Sequence, residues 1–398
     1  MDITIYPQKL TGTVTAIPSK SQAHRLLICA AFSDIPTELL CPATNQDIEA
    51  TAGCLRSLGA EITRTDWGYH VIPVSSVPNT AILDCIESGS TLRFMLPIVG
   101  ALGVDTTFKM AGRLPYRPLS PLWEEMERNG CHLSRPTETT LQVVGRLEPN
   151  TYSIDGGISS QFITGLLFAT ALMNGHSKIE ITGKLESKPY IDMTQQVLQT
   201  FGVNTDGFSV TGCRPFLSPG KLAVEGDWSN SAFFLAAATL GSSVNVSGLE
   251  ENSAQGDRAC VKHLAQMDSH NIIDAADIPD LVPILAVTAG ALSGATFVNT
   301  ARLRLKESDR VSTVAAMLSS LGAQAIISDN ALTVYPGKYS GCTIDSAGDH
   351  RIAMAAAIAA TVADGPVNIL GAQCVAKSYP AFWDEYKKLG GSYEQYIR

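Results

Sequence analysis

Two arrangements of apolar and polar positions recur along the chain. The first is an amphipathic helix that ends in Leu-x-x-Leu-Gly or a close variant and leads into two short alternating strands. "LRSLGAEITRTDWGYHVIP" begins at Leu55, "MERNGCHLSRPTETTLQVV" at Met126, "LQTFGVNTDGFSVTG" at Leu198 and "LSSLGAQAIISDNALTVYP" at Leu318. "YKKLGGSYEQYI" closes the chain, and a degenerate copy, "LAQMDSHNII", begins at Leu264. Gly59, Gly130, Gly202, Gly322 and Gly390 end these helices, where a left-handed residue is expected. Asp268 stands at that place in the weak copy.

The second arrangement is a helix apolar on nearly every face, hence a buried one. "SQAHRLLICAAF", "STLRFMLPIVGAL", "SSQFITGLLFATALM", "SNSAFFLAAATL", "DLVPILAVTAGAL" and "HRIAMAAAIAATVA" fit it. Their Ala and Gly residues let neighbours approach closely. Six copies over 398 residues give about 66 residues each, which implies duplication and two α/β domains of three units.

Composition narrows the function classes. Hydrophobic residues make up 45% and charged ones 17%, a globular balance with a sizeable core. The net charge of −9 argues against a nucleic-acid or anionic-membrane binder. The nine cysteines are scattered without a CxxC, as reduced, mostly buried thiols of a cytoplasmic protein would be. "MDITIYPQKL" has no signal-peptide or transit pattern, and stretches such as "FITGLLFATALM" are too short to span a bilayer.

Candidate chemistry lies at the starts of the buried helices. Lys20, Ser21 and Arg25 open the first, Ser90, Thr91 and Arg93 the second, and Ser159, Ser160 and Gln161 the third. Asp227, Ser229, Asn230 and Ser231 open the fourth, Asp280 the fifth, and Asp349, His350 and Arg351 the sixth. Ser and Asp are ordinary caps there. Arg25, Arg93 and Arg351 have the wrong sign for a helix N-terminus, and a bound anion would relieve the misfit.

The run "RLRLKESDR", residues 302 to 310, extends the pattern. "RLRL" alternates like a strand, and a helix should start near Glu307 to Asp309, bracketed by Lys306 and Arg310. Further basic residues sit in Gly- and Pro-rich stretches read as loops: Arg113 and Arg117 in "AGRLPYRPLS", Lys188 in "ESKPYID" and Lys377 in "AKSYP". No GxxxxGK[ST], clean GxGxxG, HExxH, GxSxG or Cys/His cluster with metal spacing occurs. A small molecule with several negative groups, bound without metal or cofactor, is the ligand this implies.

In the order "PSKSQAHR", "SGSTLR", "LPYRPL", "SSQ", "SKPYID", "IPD", "LRLKESDR", "GDHRIAM" and "AKSYP", the chain resembles the 5-enolpyruvylshikimate-3-phosphate (EPSP) synthase family of enolpyruvyl transferases over essentially its whole length. The resemblance implies a two-domain inside-out α/β barrel-like fold of six βαβαββ repeats, three per domain. Residues 1–18 and 227–398 would form one domain and 19–226 the other, with chain crossings near Pro18–Ser19 and Gly226–Asp227 and the active site in the interdomain cleft. The implied reaction moves the enolpyruvyl group of phosphoenolpyruvate to the 5-hydroxyl of shikimate 3-phosphate, on the route to aromatic amino acids, in a cytoplasmic monomer.

By the same resemblance, shikimate 3-phosphate would contact Lys20, Ser21, Arg25, Ser159, Ser160, Gln161, Ser187, Asp280 and Lys306. Phosphoenolpyruvate would contact Lys20, Gly89, Arg117, Gln161, Arg310, Arg351 and Lys377. Asp280 would act as base, Glu307 would carry the proton of the methylene carbon, and Lys20 would join them in catalysis. Ser90, Arg93, Tyr190 and His350 rank second. Neighbouring Lys306 and Arg310 should hold the Glu307 carboxyl low, which opposes its use as an acid until substrate binds. Pro18, Ala23, His24, Glu87, Ser90 and Arg302 depart from the family's common residues.

Two other readings remain. One is a UDP-N-acetylglucosamine enolpyruvyl transferase, many of which use a Cys in the loop matching "AGRLPYRPLS"; this loop has none, and the next is Cys131. The other is a non-catalytic anion-binding relative, which would keep the basic clamps and lose the carboxylates that Asp280 and Glu307 supply here.

Overall fold

Among the described residues, seven helices begin with a side-chain cap, and these caps set where the chain turns into each helix. The computed structural model describes residues 1–212 and 215–396. Its α-helices in chain order are α1 (Lys20–Ala31), α2 (Gln46–Ser57), α3 (Gly89–Leu102), α4 (Leu122–Arg128), α5 (Ser160–Leu172) and α6 (Lys188–Thr200). They continue with α7 (Trp228–Thr239), α8 (Cys260–Ala265), α9 (Val282–Ala291), α10 (Arg310–Leu321), α11 (His350–Ala360) and α12 (Phe382–Lys388). Ser19, Asn45, Ser88, Ser159, Asp227, Asp309 and Asp349 each accept a backbone N–H of the first turn with their side chains. The odd-numbered helices are the nearly all-apolar ones, and their side chains are mostly buried.

The chain divides into two compact units, Met1–Ile17 with Glu225–Arg398, and Pro18–Val224. These divisions fall one and two residues before the crossings expected at Pro18–Ser19 and Gly226–Asp227. Each unit has its own hydrophobic core. Close helix packing depends on small residues: a Cβ on Gly165 of α5 would stand 2.8 Å from the Pro97 ring of α3.

Among the described residues, six small sheets match the six repeats. In the five four-stranded sheets, the leading strand pairs in parallel with the second, and two antiparallel strands complete the sheet. The parallel step requires a crossover, which in four of these sheets a single odd-numbered helix supplies. Three closures come from distant chain. Lys221–Ala223 leads the sheet of the first repeat, beside Thr37–Leu40. The N-terminal strand Asp2–Tyr6 completes the last sheet between Val367–Leu370 and Ser392–Tyr396. Thr11–Thr15 leads the fourth repeat, where it pairs with Ser243–Ser247 in a two-stranded sheet.

One device recurs where leading strands end. Asp84, Asp155, Asp274 and Asp345 are the last residues of theirs, and each side chain accepts the N–H two residues on, at 2.8–2.9 Å. Such Asx turns redirect the chain toward the next helix. Ile86 and Ala347, each two residues past its Asp, are held at φ 49° and 52°. A β-branched residue there is strained, so the turn is imposed by its surroundings.

Three local expectations are corrected. The "RLRL" stretch is not a strand but a 3-10 turn, Ala301–Leu305, because the Leu303 N–H donates to the Thr300 carbonyl and the Asn330 side chain accepts the Ala301 N–H. Lys188 is not in a loop: it is the first residue of α6, paired with Asp192 one turn on. The degenerate copy after Leu264 carries no strand pair of its own; Asn271–Asp274 leads the next repeat's sheet. Gly59, Gly130, Gly202, Gly322 and Gly390 all take positive φ, as expected for helix ends. Eight of the cysteines are free thiols, six of them buried; Cys213 lies outside the described residues.

Candidate active site

In the unit Pro18–Val224, four helix starts carry the expected cations and hydroxyls. Lys20 opens α1 and its Nζ lies 3.0 Å from Asp47 Oδ2 in the first turn of α2. Arg25, one turn further, is buried. Its donors go to Thr194 Oγ1 (2.8 Å), the Ser21 carbonyl (2.6 Å), Thr164 Oγ1 (3.4 Å) and the Tyr190 carbonyl (2.9 Å). Its guanidinium lies 5.3 Å over the Phe94 ring, and burial pulls its pKa down to about 10.

The start of α3 is shaped for a negative group. A Cβ on Gly89 would stand 2.6 Å from Arg117 Nη1 and 2.7 Å from Arg93 Nη1. Only a glycine lets both guanidinium groups come that close to the first turn, where free N–H groups also point. Arg93 donates to the Pro118 carbonyl at 3.0 Å and to Gln161 Oε1 at 3.3 Å. Gln161 Nε2 donates to Ser90 Oγ at 2.9 Å. The second-ranked Ser90 and Arg93 therefore hold Gln161 in place. Ser159 caps α5 and Ser160 is buried in its first turn. Ser187 is buried just ahead of α6 at φ 56°.

The unit Met1–Ile17 with Glu225–Arg398 carries a denser array. Arg310, the first residue of α10, is 1% exposed and meets three carboxylates. Nη1 lies 2.5 Å from Asp280 Oδ1, Nη2 2.8 Å from Glu307 Oε2, and Nε 2.8 Å from Asp349 Oδ2. Arg351 Nη2 lies 3.4 Å from Asp280 Oδ2 and its Nη1 donates to the Asp280 carbonyl at 3.1 Å. Lys306 Nζ is 3.5 Å from Asp280 Oδ1. The wrong-sign cations at these helix starts are thus answered by the protein's own carboxylates. Lys377 and His350 are buried in the same unit, at the end of a 3-10 turn and the start of α11.

Charge neighbours set the protonation states. Burial raises Asp280, but Arg351, Lys306 and Arg310 outweigh it and hold the carboxyl well below the usual range. Burial pulls Lys306 down to about 8, against the pull of Asp280. The carboxylates keep Arg310 protonated far above any working pH.

Sequence reasoning missed three acids. Asp47, which holds Lys20, reads only as an ordinary first-turn carboxylate. Asp349 reads as a cap, and it is one, but it also binds Arg310. Asp257, buried in the turn Gly256–Ala259, has no periodic or motif signal at all. Burial and the nearby Asp280 push its pKa up to about 6, against Arg351. Arg304 of the "RLRL" stretch pairs with Asp309 at 3.0 Å near the surface. Among the described residues, no group of three or more His, Cys, Asp or Glu could hold a metal ion.

A family model for EPSP synthase (3-phosphoshikimate 1-carboxyvinyltransferase) matches residues 5–386. The chain belongs to the EPSP synthase family. It is 38% identical to the 3-phosphoshikimate 1-carboxyvinyltransferase of Clostridium kluyveri over 99% of this chain and 98% of that protein. It is likewise 38% identical to the enzyme of that name from Clostridium botulinum strain Eklund 17B, over 98% of each. The EPSP synthase fold is recognisable in solved structures. That from Acinetobacter baumannii has a TM-score of 0.81 at 21% identity over 100% of both chains. The enolpyruvyl transferase NikO from Streptomyces tendae has a TM-score of 0.79 at 16% identity, over 99% of this chain and 98% of that one. Among the described residues of this EPSP synthase family member, no helix is long and apolar enough to cross a membrane.

Proposed function

We infer that the chain catalyses the reaction for which its curated relatives are named. The enolpyruvyl group of phosphoenolpyruvate moves to the 5-hydroxyl of shikimate 3-phosphate, and phosphate leaves. The observation that carries the residue-level reading is the array in which Arg310, Arg351 and Lys306 surround Asp280 while Arg310 also holds Glu307. Both carboxylates reach the same guanidinium, so they are positioned to act in sequence on one reacting centre.

Glu307 delivers a proton to the methylene carbon of phosphoenolpyruvate, and the adjacent carbon becomes electrophilic. The 5-hydroxyl oxygen bonds to that carbon while Asp280 takes the hydroxyl proton. The tetrahedral intermediate then returns a methyl proton to the Glu307 carboxylate, its carbon–oxygen bond to phosphate breaks as the leaving oxygen takes the proton held by Asp280, and the enol ether remains. A carboxylate held as low as Asp280 is a weak base. Anionic substrates compete for Arg310, Arg351 and Lys306, and each cation drawn away raises the basicity of Asp280 when the proton must be taken.

The remaining cations serve the anionic ends of the substrates. Arg117 and Arg93 at Gly89, with Arg351 and Lys377, suit phosphoenolpyruvate; Arg25, Ser159, Ser160, Gln161, Ser187 and Lys306 suit shikimate 3-phosphate. Ser21 and Tyr190 give their carbonyls to Arg25, so in this reading they orient it. The enzyme works as a cytoplasmic monomer on these two small molecules, apart from nucleic acid and membrane. The net charge of −9 supports this, and size-exclusion chromatography tests the monomer.

The deciding experiment measures phosphate release from phosphoenolpyruvate with shikimate 3-phosphate and with UDP-N-acetylglucosamine in turn. Release with the first alone is expected. Release only with the second makes the chain the sister transferase, and tight binding without release makes it a binding protein. Glu307→Gln should retain substrate binding and lose turnover; unchanged turnover removes Glu307 from the mechanism.

A further inference from the structure

Behind the anion-binding start of α3 runs a buried polar chain that the reaction does not use. His24 of α1, Thr51 of α2, and Ser88 and Thr91 at the start of α3 are each 0% exposed. His24 Nδ1 lies 2.7 Å from Thr51 Oγ1, and Thr51 Oγ1 lies 2.7 Å from Thr91 Oγ1. Thr91 Oγ1 donates to Ser88 Oγ at 2.7 Å and leans on the Asp47 carbonyl at 3.4 Å. Ser88 is the cap of α3, and Asp47 is the partner of Lys20.

Counting protons fixes the direction of the chain. Each hydroxyl has one proton to give. Thr91 gives its proton to Ser88, so the short contact with Thr51 holds a proton only if Thr51 donates. Thr51 has then spent its proton, and its contact with His24 requires an N–H on Nδ1. The opposite tautomer would leave two hydroxyl oxygens 2.7 Å apart with no proton between them. The Nδ1–H form leaves Nε2 as a lone pair with no hydrogen-bond partner among the described residues. A buried acceptor left short is tolerated more readily than a buried N–H.

We propose that His24 is a positioning residue: neutral, with its single proton on Nδ1, it orders a one-way chain of hydroxyls that fixes the start of α3 where Gly89, Arg93 and Arg117 meet. Two further observations agree. Burial pushes the His24 imidazole down to about 3, opposed by Asp47 and aided by Lys20 and Arg25, so it stays neutral at working pH. Its ring also packs edge-on against Phe94 of α3, at 6.2 Å between centroids, which restricts its rotation. The chain ties three helix starts together, so Lys20 and the Gly89 turn keep a constant relation within this unit.

This role rests on the enolpyruvyl-transfer reading, but its test has an independent part. In 15N-histidine-labelled enzyme at pH 7, the His24 signals should show a protonated Nδ1 and a bare Nε2. A proton on Nε2, or an imidazolium, overturns the proposal whether or not the enzyme turns over. Thr51→Val breaks the chain at its middle with little change in shape. The KM for phosphoenolpyruvate should then rise roughly tenfold, the size of one lost buried hydrogen bond, with kcat nearly unchanged. Thr51→Ser should restore it. An unchanged KM in Thr51→Val, or a loss in kcat that Thr51→Ser does not rescue, also overturns the proposal. Wild-type enzyme inactive on both substrates would sink the catalytic reading and leave the tautomer measurement standing.

Discussion

Arg310 and Asp349 form a two-point ion pair closed off from solvent, with Nε to Oδ2 at 2.8 Å and Nη2 to Oδ1 at 3.4 Å. The same carboxylate caps α11 through the Arg351 N–H at 3.0 Å and accepts from Ser308 Oγ at 3.1 Å. One acid therefore sets two arginines. Asp349→Asn keeps a capping oxygen and removes the charge. It should cost about 3 kcal/mol, the low end for breaking a buried pair, because Asp280 and Glu307 still hold Arg310. Asp349→Ala should cost about 1 kcal/mol more through the lost cap. Denaturant midpoints check both, and phosphoenolpyruvate KM should rise in both.

In the proposed reaction, Lys306 should give the acceptor side its alkaline limit. The ammonium is the form that binds an anion, and burial brings its pKa down to about 8. Charge is present below that pH and lost above it. The KM for shikimate 3-phosphate should therefore be flat below about pH 8 and climb by ~tenfold per unit above it. Lys306→Arg should remove the climb, since a guanidinium stays charged throughout. Initial rates at several pH values measure this directly.

The repeats were legible because each rests on local chemistry. A left-handed glycine closes an amphipathic helix, and an apolar run of about ten residues or more must be buried. The cations at helix starts were legible because their sign conflicts with the backbone dipole. What answers those cations was not. Asp280 reaches Arg310 and Arg351 across the fold, and periodicity says nothing about pairs that far apart. Sheet closure was not legible for the same reason. Nothing within Asp2–Tyr6 tells it to complete a sheet with Val367–Leu370, and the pairing is decided by which edge remains open. The "RLRL" stretch misled because alternation over four residues is short. Leu303 is buried and Leu305 exposed, which a single 3-10 turn produces as readily as a strand.

Gly89→Ala separates binding from stability. The added methyl meets the ends of two arginine side chains, which can swing aside, so the unfolding midpoint should barely move. The displaced Arg93 and Arg117 are the groups that suit the anion. Losing one charge-assisted hydrogen bond should raise the phosphoenolpyruvate KM by roughly ten- to a hundredfold. The shikimate 3-phosphate KM should rise less, through the Gln161 side chain that Arg93 holds. Steady-state kinetics with each substrate varied in turn distinguishes this from general damage.

Asp257 makes a prediction with the opposite sign to an ordinary ion pair. Its pKa is raised to about 6 by burial and by Asp280, so the folded protein holds its proton longer than the unfolded chain does. Between the unfolded value and pH 6 the folded state binds more protons, and stability falls as pH rises through that window. The destabilisation is complete above pH 6 and absent below the unfolded pKa. Asp257→Asn removes the charge while keeping a side chain of nearly the same shape. The variant should gain about 1–3 kcal/mol over wild type at pH 7.5 and much less at pH 4.5. Paired thermal melts at the two pH values read the difference. A variant less stable than wild type at pH 7.5 would mean that Arg351, not burial, governs this carboxyl, and that Asp257 belongs with the acids that hold the cationic array together.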